Sequence, residues 1–203
     1  MEQHQTRNYF VTGIDTDSGK SVVCALLTQM VKADYWKPIQ AGRPTDSEFI
    51  RANTENVKVH PEGIMLKYPM SPHASAILEN KTISLDQLEM PKSNNSIIIE
   101  GAGGIMVPIN DTELVIDIAH KFNLEVILVS RIYLGSINHT LLSIDYLKKH
   151  GFNIKGIVFN GERNSSTEDY IINYSGLDCL FKIDNIPEIN STSIKQLAST
   201  LKF

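Results

Sequence analysis

The sequence predicts an α/β fold in which helices cover both faces of a mostly parallel β-sheet. Short apolar runs, typical of buried strands, alternate along the chain with segments whose apolar residues recur at helical spacing. Of the 203 residues, 42% are hydrophobic and 21% are charged, so the chain is too apolar for a disordered protein. A chain of this length typically forms one folded unit, and we expect a single domain over residues 1–203.

The predicted strands and helices alternate in a regular order. The expected strands are short apolar runs over residues 8–12, 35–39, 96–100, 126–130, 154–160 and 180–183. Helical spacing and helix-start signals predict helices over residues 20–33, 46–53, 71–78, 113–122, 136–150, 167–174 and 193–202. Ligands of such sheets bind beyond the carboxyl ends of the strands, so the loops that follow the strands are where a functional site is expected.

The composition argues against several classes of protein. With a formal charge of -4 and no basic run, the chain is not expected to bind nucleic acid. No stretch approaches the roughly 18 apolar residues of a membrane span, so no membrane association is expected. The two cysteines, Cys24 and Cys179, give neither a disulfide framework nor a zinc site, and this low usage predicts a cytoplasmic location.

The loop after the first predicted strand carries the strongest functional signal. It runs from Gly13 to Gly19 and continues into Lys20 and Ser21, with five residues between the glycines where the usual phosphate-binding loop has four. Gly19 lets the backbone approach a phosphate, Lys20 supplies positive charge, and Ser21 offers a hydroxyl to Mg²⁺. Asp17 is either a contact to a cation or substrate amine or a solvated turn residue. A strand before this loop and a helix after it predict a fold of the phosphate-loop NTPase type.

Two charged residues end predicted strands. Lys37, which precedes Pro38, is either a second cation over a transferring phosphoryl group or an exposed edge lysine. Glu100 follows the apolar run 96–99 and precedes a glycine-rich segment, a pattern typical of the second metal-binding carboxylate of phosphate-loop ATPases and also of a capping glutamate. We favour the metal-binding role for Glu100, whereas spacing alone leaves Lys37 open.

Asp46 and Asn160 carry weaker signals. Asp46 is a candidate Mg²⁺ ligand and also the candidate N-cap of the helix over 46–53, and the two roles are compatible. Asn160 ends a predicted strand, and its amide has the donor and acceptor that match the edge of adenine. An asparagine before Gly161 is also typical of a turn, and the residue pattern alone slightly favours the turn.

Several motifs follow one another in a fixed order. They are residues 12–21 (TGIDTDSGKS), 37–42 (KPIQAG), 71–73 (SPH), 100–104 (EGAGG), 134–139 (LGSINH) and 156–160 (GIVFN). Each motif alone is weak evidence, but the ordered set closely resembles the dethiobiotin synthetase family over about residues 9–160. The C-terminal residues beyond this range resemble the family poorly.

The resemblance implies an ATP-dependent ligase that forms C–N bonds in biotin biosynthesis. Its substrates would be diaminopelargonic acid, CO₂ and ATP with Mg²⁺, and its products dethiobiotin, ADP and phosphate. One substrate amine captures CO₂ as a carbamate, the carbamate oxygen attacks the γ-phosphate, and the second amine closes the ureido ring and expels phosphate. The resemblance also implies a homodimer whose substrate site lies at the subunit interface.

The resemblance further assigns roles to residues of this sequence. The implied catalytic residues are Lys37, Lys20 and Thr16. The implied nucleotide-binding residues are Asp17, Ser18, Gly19, Lys20, Ser21, Val22, Gly103 and Asn160, of which Asn160 would contact adenine. The implied Mg²⁺ ligands are Ser21, Asp46 and Glu100. The implied substrate-binding residues are Ala41 and, from the partner subunit's helix start, the positions Gly135, Ser136 and Asn138.

The sequence departs from the family pattern in three places. Ala41 replaces a usual serine or threonine, which removes one hydrogen bond worth roughly 0.5–1.5 kcal/mol. Asp17 replaces a common glutamate and has a shorter reach. Residues 181–187 lack a glycine that the family often has shortly before Ile/Leu-Pro, so this segment gives no clear prediction of contacts with the nucleotide base.

The main alternative is an ATP-driven partition or positioning protein of the same fold. Such a protein would act through interactions with other macromolecules and would not be a biosynthetic enzyme. These proteins carry a signature lysine five residues before the lysine of the phosphate-binding loop, and here Asp15 occupies that position. The residue at position 15 therefore favours the ligase.

Overall fold

The computed structural model describes residues 6–203 and confirms the predicted α/β architecture. The strands are β1 (Tyr9–Gly13), β2 (Asp34–Trp36), β3 (Ile39–Ala41), β4 (Ile64–Leu66), β5 (Ile97–Gly104), β6 (Glu125–Arg131), β7 (Ile154–Asn160) and β8 (Cys179–Ile183). Six of them form a parallel sheet in the order β2-β5-β1-β6-β7-β8. Strands β3 and β4 pair in parallel as a separate small sheet.

Helices cover both faces of the main sheet, as predicted. They are α1 (Lys20–Val31), α2 (Asp46–Asn53), α3 (Pro72–Leu78), α4 (Asp117–Lys121), α5 (Ser136–Lys149), α6 (Ser165–Ser175) and α7 (Ser191–Thr200). On one face α1, α2 and α7 bury Leu26, Ile50 and Ile194 against the sheet. On the other face α4 and α5 bury Ile118 and Leu147. Within residues 6–203, no helix is both long enough and apolar enough to cross a membrane.

The strand expected over residues 35–39 is divided in two, and this part of the prediction is wrong. Strand β2 ends at Trp36, and β3 begins at Ile39 in the other sheet. Pro38 has no N–H to continue the pairing with β5, and its carbonyl instead accepts the Ile64 N–H at 2.8 Å. The break turns the chain away from the main sheet directly at Lys37, beside the carboxyl end of β5.

The glycine-rich segment after Glu100 is not a loop, because β5 continues to Gly104, which pairs with Gly13. A Cβ at Gly101 would lie 2.9 Å from Phe10 Cζ, so glycine is needed where these two strands pack closely. The helix expected over 113–122 is also shorter than predicted. It begins only at Asp117, because the chain before it forms a bridge between residues 108 and 114.

Candidate active site

The phosphate-binding loop joins β1 to α1 through one turn of 3-10 helix at residues 16–18. The Asp15 carboxylate caps this turn by accepting the Thr16 N–H at 2.6 Å. Gly19 has φ +87°, and a Cβ there would lie 2.1 Å from Asn160 Nδ2, so a side chain does not fit without displacement of Asn160. Gly19 supplies no side-chain cap to α1, so the first N–H groups of this helix are available to an anion.

Lys20 lies folded over the phosphate-binding loop. Its Nζ donates to the backbone carbonyls of Asp15 at 3.1 Å and Thr16 at 2.9 Å, and its side chain is buried. Burial lowers the pKa of Lys20 from its usual value, although the Glu100 carboxylate counteracts part of this effect. The outer phosphates of a bound nucleotide would therefore compete with these backbone carbonyls for the Lys20 ammonium group.

Four side chains proposed from the sequence meet beside this loop. Ser21 Oγ is 3.1 Å from Asp46 Oδ1 and 2.9 Å from Glu100 Oε1. Lys37 Nζ is 2.5 Å from Asp46 Oδ2 and 3.4 Å from Glu100 Oε1, and it donates to the Gly101 carbonyl at 2.8 Å. Lys37 is only 2% exposed, so it is not the exposed edge lysine that the sequence left open.

Lys37 and Asp46 each shift the pKa of the other towards its charged form. Burial by itself lowers the pKa of Lys37, but the Glu100 and Asp46 carboxylates outweigh burial and raise the pKa above its usual value. Burial likewise tends to raise the pKa of Asp46, but Lys37 and a hydrogen bond from Ser21 lower it. At neutral pH the cluster therefore contains a charged Lys37 beside a charged Asp46 carboxylate.

The oxygen atoms of the cluster fit a Mg²⁺ ion. Mg²⁺ in nucleotide sites takes one or two carboxylates, and substrate phosphates and water complete its shell. Ser21 Oγ, an Asp46 oxygen and Glu100 Oε1 supply such a partial set. Among residues 6–203 no group of three or more His, Cys, Asp or Glu side chains is arranged around a common metal position. The donor set is therefore one that a nucleotide would have to complete.

A cavity of about 420 Å³ opens beside the cluster. Its polar wall is formed by Thr16, Lys20, Ser21, Lys37, Gln40, Asp46 and Glu100, with Gly103 behind them. Its apolar wall is formed by Ile39, Ala41, Pro44, Pro69, Met70, Pro72, Ala102 and Val107. A cavity with a cationic end and an apolar wall can hold a small molecule that has both a polar reacting end and an aliphatic chain.

The residues expected to contact the nucleotide occupy different positions around the loop. Asn160 Nδ2 donates to the Ser18 carbonyl at 2.9 Å, so this side chain is hydrogen-bonded to the phosphate-binding loop. Asp17 is exposed on the outer side of the loop. Gly103 has φ +68°, and a Cβ there would lie 3.5 Å from Thr16 Oγ1. Val22 packs against the core beside the sheet and does not line the cavity.

The segment from Gly135 to Asn138 lies outside the first cavity. Gly135 and Asn138 line a second, open cavity of about 820 Å³ near α6. Ser136 is buried at the start of α5, and its Oγ has no hydrogen-bond partner among the described residues. Leu134, just before this helix, is fully exposed. Within one chain, the structure therefore does not bring this segment together with Lys37.

Two side chains that the sequence did not single out contact the cluster. The Tyr35 hydroxyl donates to Glu100 Oε2 at 2.9 Å, and Gln40 Oε1 accepts the Asp46 N–H at 3.1 Å. The only signal for Tyr35 was its position two residues before Lys37, which places the two side chains on one face of an extended chain. Gln40 carried no signal, because its contact depends on the turn into α2.

The sequence of the chain is similar to those of curated proteins over nearly its whole length. A family model described as an AAA domain matches residues 7–193. ATP-dependent dethiobiotin synthetases are 46% identical in Cytophaga hutchinsonii, over 96% of this chain and 97% of the relative, and 40% identical in Christiangramia forsetii, over 97% and 96%. The chain belongs to the dethiobiotin synthetase family. The similarity extends beyond residue 160, so the family relationship includes the C-terminal region that the motifs did not cover.

Two solved structures share the overall fold of this chain. The septum site-determining protein MinD of Pyrococcus horikoshii has a TM-score of 0.60 and 15% identity, with 97% of this chain and 96% of that chain covered. A ParA family ATPase of Chlorobium tepidum has a TM-score of 0.53 and 12% identity, with 96% and 98% covered. At these identities the likeness concerns the fold alone, so it gives no support to the partition or positioning alternative.

Proposed function

We propose that this chain synthesises dethiobiotin from diaminopelargonic acid, CO₂ and ATP. The observation that carries the proposal is the position of Lys37, buried between Asp46 and Glu100 on the polar wall of the cavity. The apolar residues that also line this cavity suit an aliphatic acid. The relatives named dethiobiotin synthetase cover the chain from end to end and support the same reaction.

Lys37 and Lys20 neutralise charge during the reaction. A carbamate attacking the γ-phosphate brings two anions together, and the transferring phosphoryl group spreads negative charge over its oxygens. Lys37 stays charged at neutral pH because of its two carboxylate neighbours, so it can stabilise the carbamate and this developing charge. Lys20 and the N–H groups of α1 hold the phosphates, and Thr16 contacts the phosphate or carbamate from the opposite side of the loop.

Ser21, Asp46 and Glu100 would hold Mg²⁺ at the phosphates, where the ion supplies further neutralisation of charge. Asp17, Ser18, Gly19, Val22, Gly103 and Asn160 complete the proposed nucleotide site through backbone and side-chain contacts. Nothing in this set is an activated nucleophile, which agrees with a reaction that depends on positioning and charge neutralisation.

The proposed enzyme is a single-domain homodimer located in the cytoplasm. The start of α5, with Gly135, Ser136 and Asn138, would bind the carboxylate of a substrate whose reacting end lies in the partner's cavity. Exposed Leu134 and its position outside the cavity support a role in contacts with a second copy. Both cysteines are free thiols, which supports a reducing compartment.

A product assay tests the proposed function. The protein is mixed with diaminopelargonic acid, bicarbonate, Mg²⁺ and ATP, and dethiobiotin is measured by mass spectrometry, with parallel reactions that omit one substrate at a time. We expect dethiobiotin only in the complete mixture. ATP hydrolysis that needs no diaminopelargonic acid, is stimulated by DNA or a protein partner, and yields no dethiobiotin would instead support the partition or positioning alternative.

A further inference from the structure

A buried tyrosine contacts the carboxylate that we propose as a Mg²⁺ ligand. Tyr35 lies in β2 and pairs in register with Ile98 of β5. Glu100 is two residues beyond Ile98, so its side chain extends from the same face of the sheet, towards α1. Tyr35 is fully buried and Glu100 is 1% exposed, and the Tyr35 hydroxyl donates to Glu100 Oε2 at 2.9 Å.

The two oxygens of Glu100 have different partners. Oε1 lies towards the cavity, 2.9 Å from Ser21 Oγ and 3.4 Å from Lys37 Nζ. Oε2 lies towards the sheet, where Tyr35 is its hydrogen-bond partner. Without the Tyr35 hydroxyl, the weakly donating thiol of Cys24 would be the neighbour left to Glu100 on this side, and a buried carboxylate with so weak a donor is stabilised by rotating towards another partner. Such a rotation would reduce the ability of Oε1 to bind a cation.

The Tyr35 hydroxyl is a donor over the whole range in which the enzyme can work. Burial, together with the nearby Glu100 carboxylate, raises the pKa of Tyr35 well above its usual value. The hydroxyl therefore keeps its proton, and an ionised Glu100 can only accept from it. The hydrogen bond thus fixes which oxygen of Glu100 faces the cavity.

We infer that Tyr35 is a positioning residue, whose hydroxyl orients Glu100 so that Oε1 binds the Mg²⁺ ion of the nucleotide complex. This inference rests on the proposed role of Glu100 as a Mg²⁺ ligand. Groups that hydrogen-bond to metal ligands typically change metal affinity by about 10- to 100-fold. Packing alone would not require the hydroxyl, because a phenylalanine ring fills the same space between β2 and α1.

Direct metal binding separates positioning from packing. Mn²⁺, used as a probe for Mg²⁺, is titrated into the enzyme–ADP complex and followed by electron paramagnetic resonance, and ADP affinity is measured separately without metal. We expect Tyr35→Phe to weaken Mn²⁺ binding about tenfold, at the lower end of the usual effect of such groups, and to leave metal-free ADP binding unchanged. The matched control is Tyr9→Phe, because Tyr9 is a buried tyrosine at the start of β1, which β5 separates from β2, and it packs against Phe203.

Glu100→Gln tests the proposed role of Glu100 as a metal ligand separately from the role of Tyr35. If Glu100→Gln binds Mn²⁺ as tightly as the wild type, the proposed role of Glu100 fails and the inference fails with it. If Glu100→Gln weakens Mn²⁺ binding but Tyr35→Phe stays within twofold of the wild type, only the role of Tyr35 is overturned.

A second substitution covers the case in which Tyr35→Phe does not unfold cooperatively. At the same position, p-aminophenylalanine keeps a donor in the ring plane and avoids the empty space beside Glu100. Because an aniline donates a weaker hydrogen bond than a phenol, we expect this variant to bind Mn²⁺ less tightly than the wild type. Mn²⁺ binding as weak as that of Glu100→Gln, although the donor is retained, would contradict the inference.

Discussion

Lys37 owes its proposed role to the residues that surround it. An isolated buried lysine tends to lose its proton, but here two carboxylates within 3.4 Å raise its pKa and keep it charged. The same carboxylates are the proposed metal ligands. A nucleotide that brings Mg²⁺ would therefore compete with Lys37 for Asp46 and Glu100, and this competition would release the ammonium group towards the transferring phosphoryl group.

Lys37→Ala tests the role of this charge. We expect kcat to fall at least about 100-fold, because an electrostatic donor to the transition state is lost, while metal-free ADP binding is retained. The matched control is Lys149→Ala, which removes an exposed lysine paired with Asp145 four residues earlier. That variant should retain wild-type activity and stability, because an exposed ion pair contributes little. Steady-state kinetics and ADP titration check both variants, and a Lys37→Ala enzyme with a near-normal rate would contradict the assignment.

Gly19→Ala tests the geometry of the phosphate-binding loop. A side chain at φ +87° is strained and would also meet Asn160 Nδ2, so we expect nucleotide affinity to fall at least about tenfold. Gly176→Ala is the control for strain without a contact, since Gly176 has φ +67° and no atom lies within 4 Å of its Cβ position. Calorimetric ADP binding compares the two, and equal ADP affinities would show that the close approach to Asn160 is unimportant.

The sequence predicted the residue types of the site better than their contacts. The order of motifs identified Lys20, Lys37, Asp46 and Glu100 as candidates, because each lies at a strand end or on a characteristic loop. The contact of Tyr35 with Glu100 depends on the register between β2 and β5, which no local pattern specifies. Contacts between strands far apart in the chain are thus the part of the site that sequence reasoning missed.

At the scale of elements, periodicity predicted most helices and strands within a few residues. The errors lie where tertiary pairing overrides local preference. The glycines of residues 101–104 belong to β5 because they pair with β1, and β4 was missed because its three residues, 64–66, become a strand through pairing with β3. Neither pairing can be recognised from the spacing of apolar residues in the sequence.

One carboxylate connects two elements near the nucleotide side of the sheet. Glu168 in α6 accepts two hydrogen bonds from Arg163, at 2.9 and 2.8 Å, and lies 2.7 Å from Lys182 Nζ of β8. Hydrogen bonds from Arg163 in particular lower the pKa of Glu168 from 4.5 to about 2. This contribution to stability is therefore complete above about pH 4.5 and is lost as the pH falls towards 2.

Glu168→Gln should reveal this dependence on pH. We expect the variant to have a lower free energy of unfolding than the wild type at pH 7, because Arg163 and Lys182 lose their anionic partner. The difference should shrink as the pH falls from 4.5 towards 2, because the carboxylate of the unfolded chain takes up a proton at a higher pH than that of the folded protein. Urea unfolding at several pH values measures it, with Asp169→Asn, an exposed change on the same helix, as control. A difference that does not vary with pH would contradict this account.

At the scale of the whole molecule, the site as proposed is divided between two chains. The cavity with Lys37 and the start of α5 with Asn138 do not meet within one chain. A symmetric dimer would contain two equivalent sites, each with one part from either subunit. A dimer with one subunit defective in its cavity and the other defective at the start of α5 would therefore keep one intact site. A dimer in which both subunits are defective in the cavity would keep none.

Mixing inactive variants tests the shared site. After subunit exchange between Lys37→Ala and Asn138→Ala, half of the dimers are mixed and each has one intact site, so about a quarter of wild-type activity should return. A mixture of Lys37→Ala with Lys20→Ala is the matched control, because every site then carries a defect in its own cavity. Activity is measured as dethiobiotin formed, and failure of the first mixture to recover activity would contradict a site shared across the interface.

The central claim is that this chain couples ATP cleavage to ring closure around a carbon taken from CO₂. It is tested most directly by supplying ¹³C-bicarbonate with diaminopelargonic acid, Mg²⁺ and ATP, and measuring labelled dethiobiotin and phosphate together. We predict dethiobiotin one mass unit heavier than the unlabelled product, formed in equal amount with phosphate, and none with Lys37→Ala. Phosphate released without labelled dethiobiotin would contradict the account.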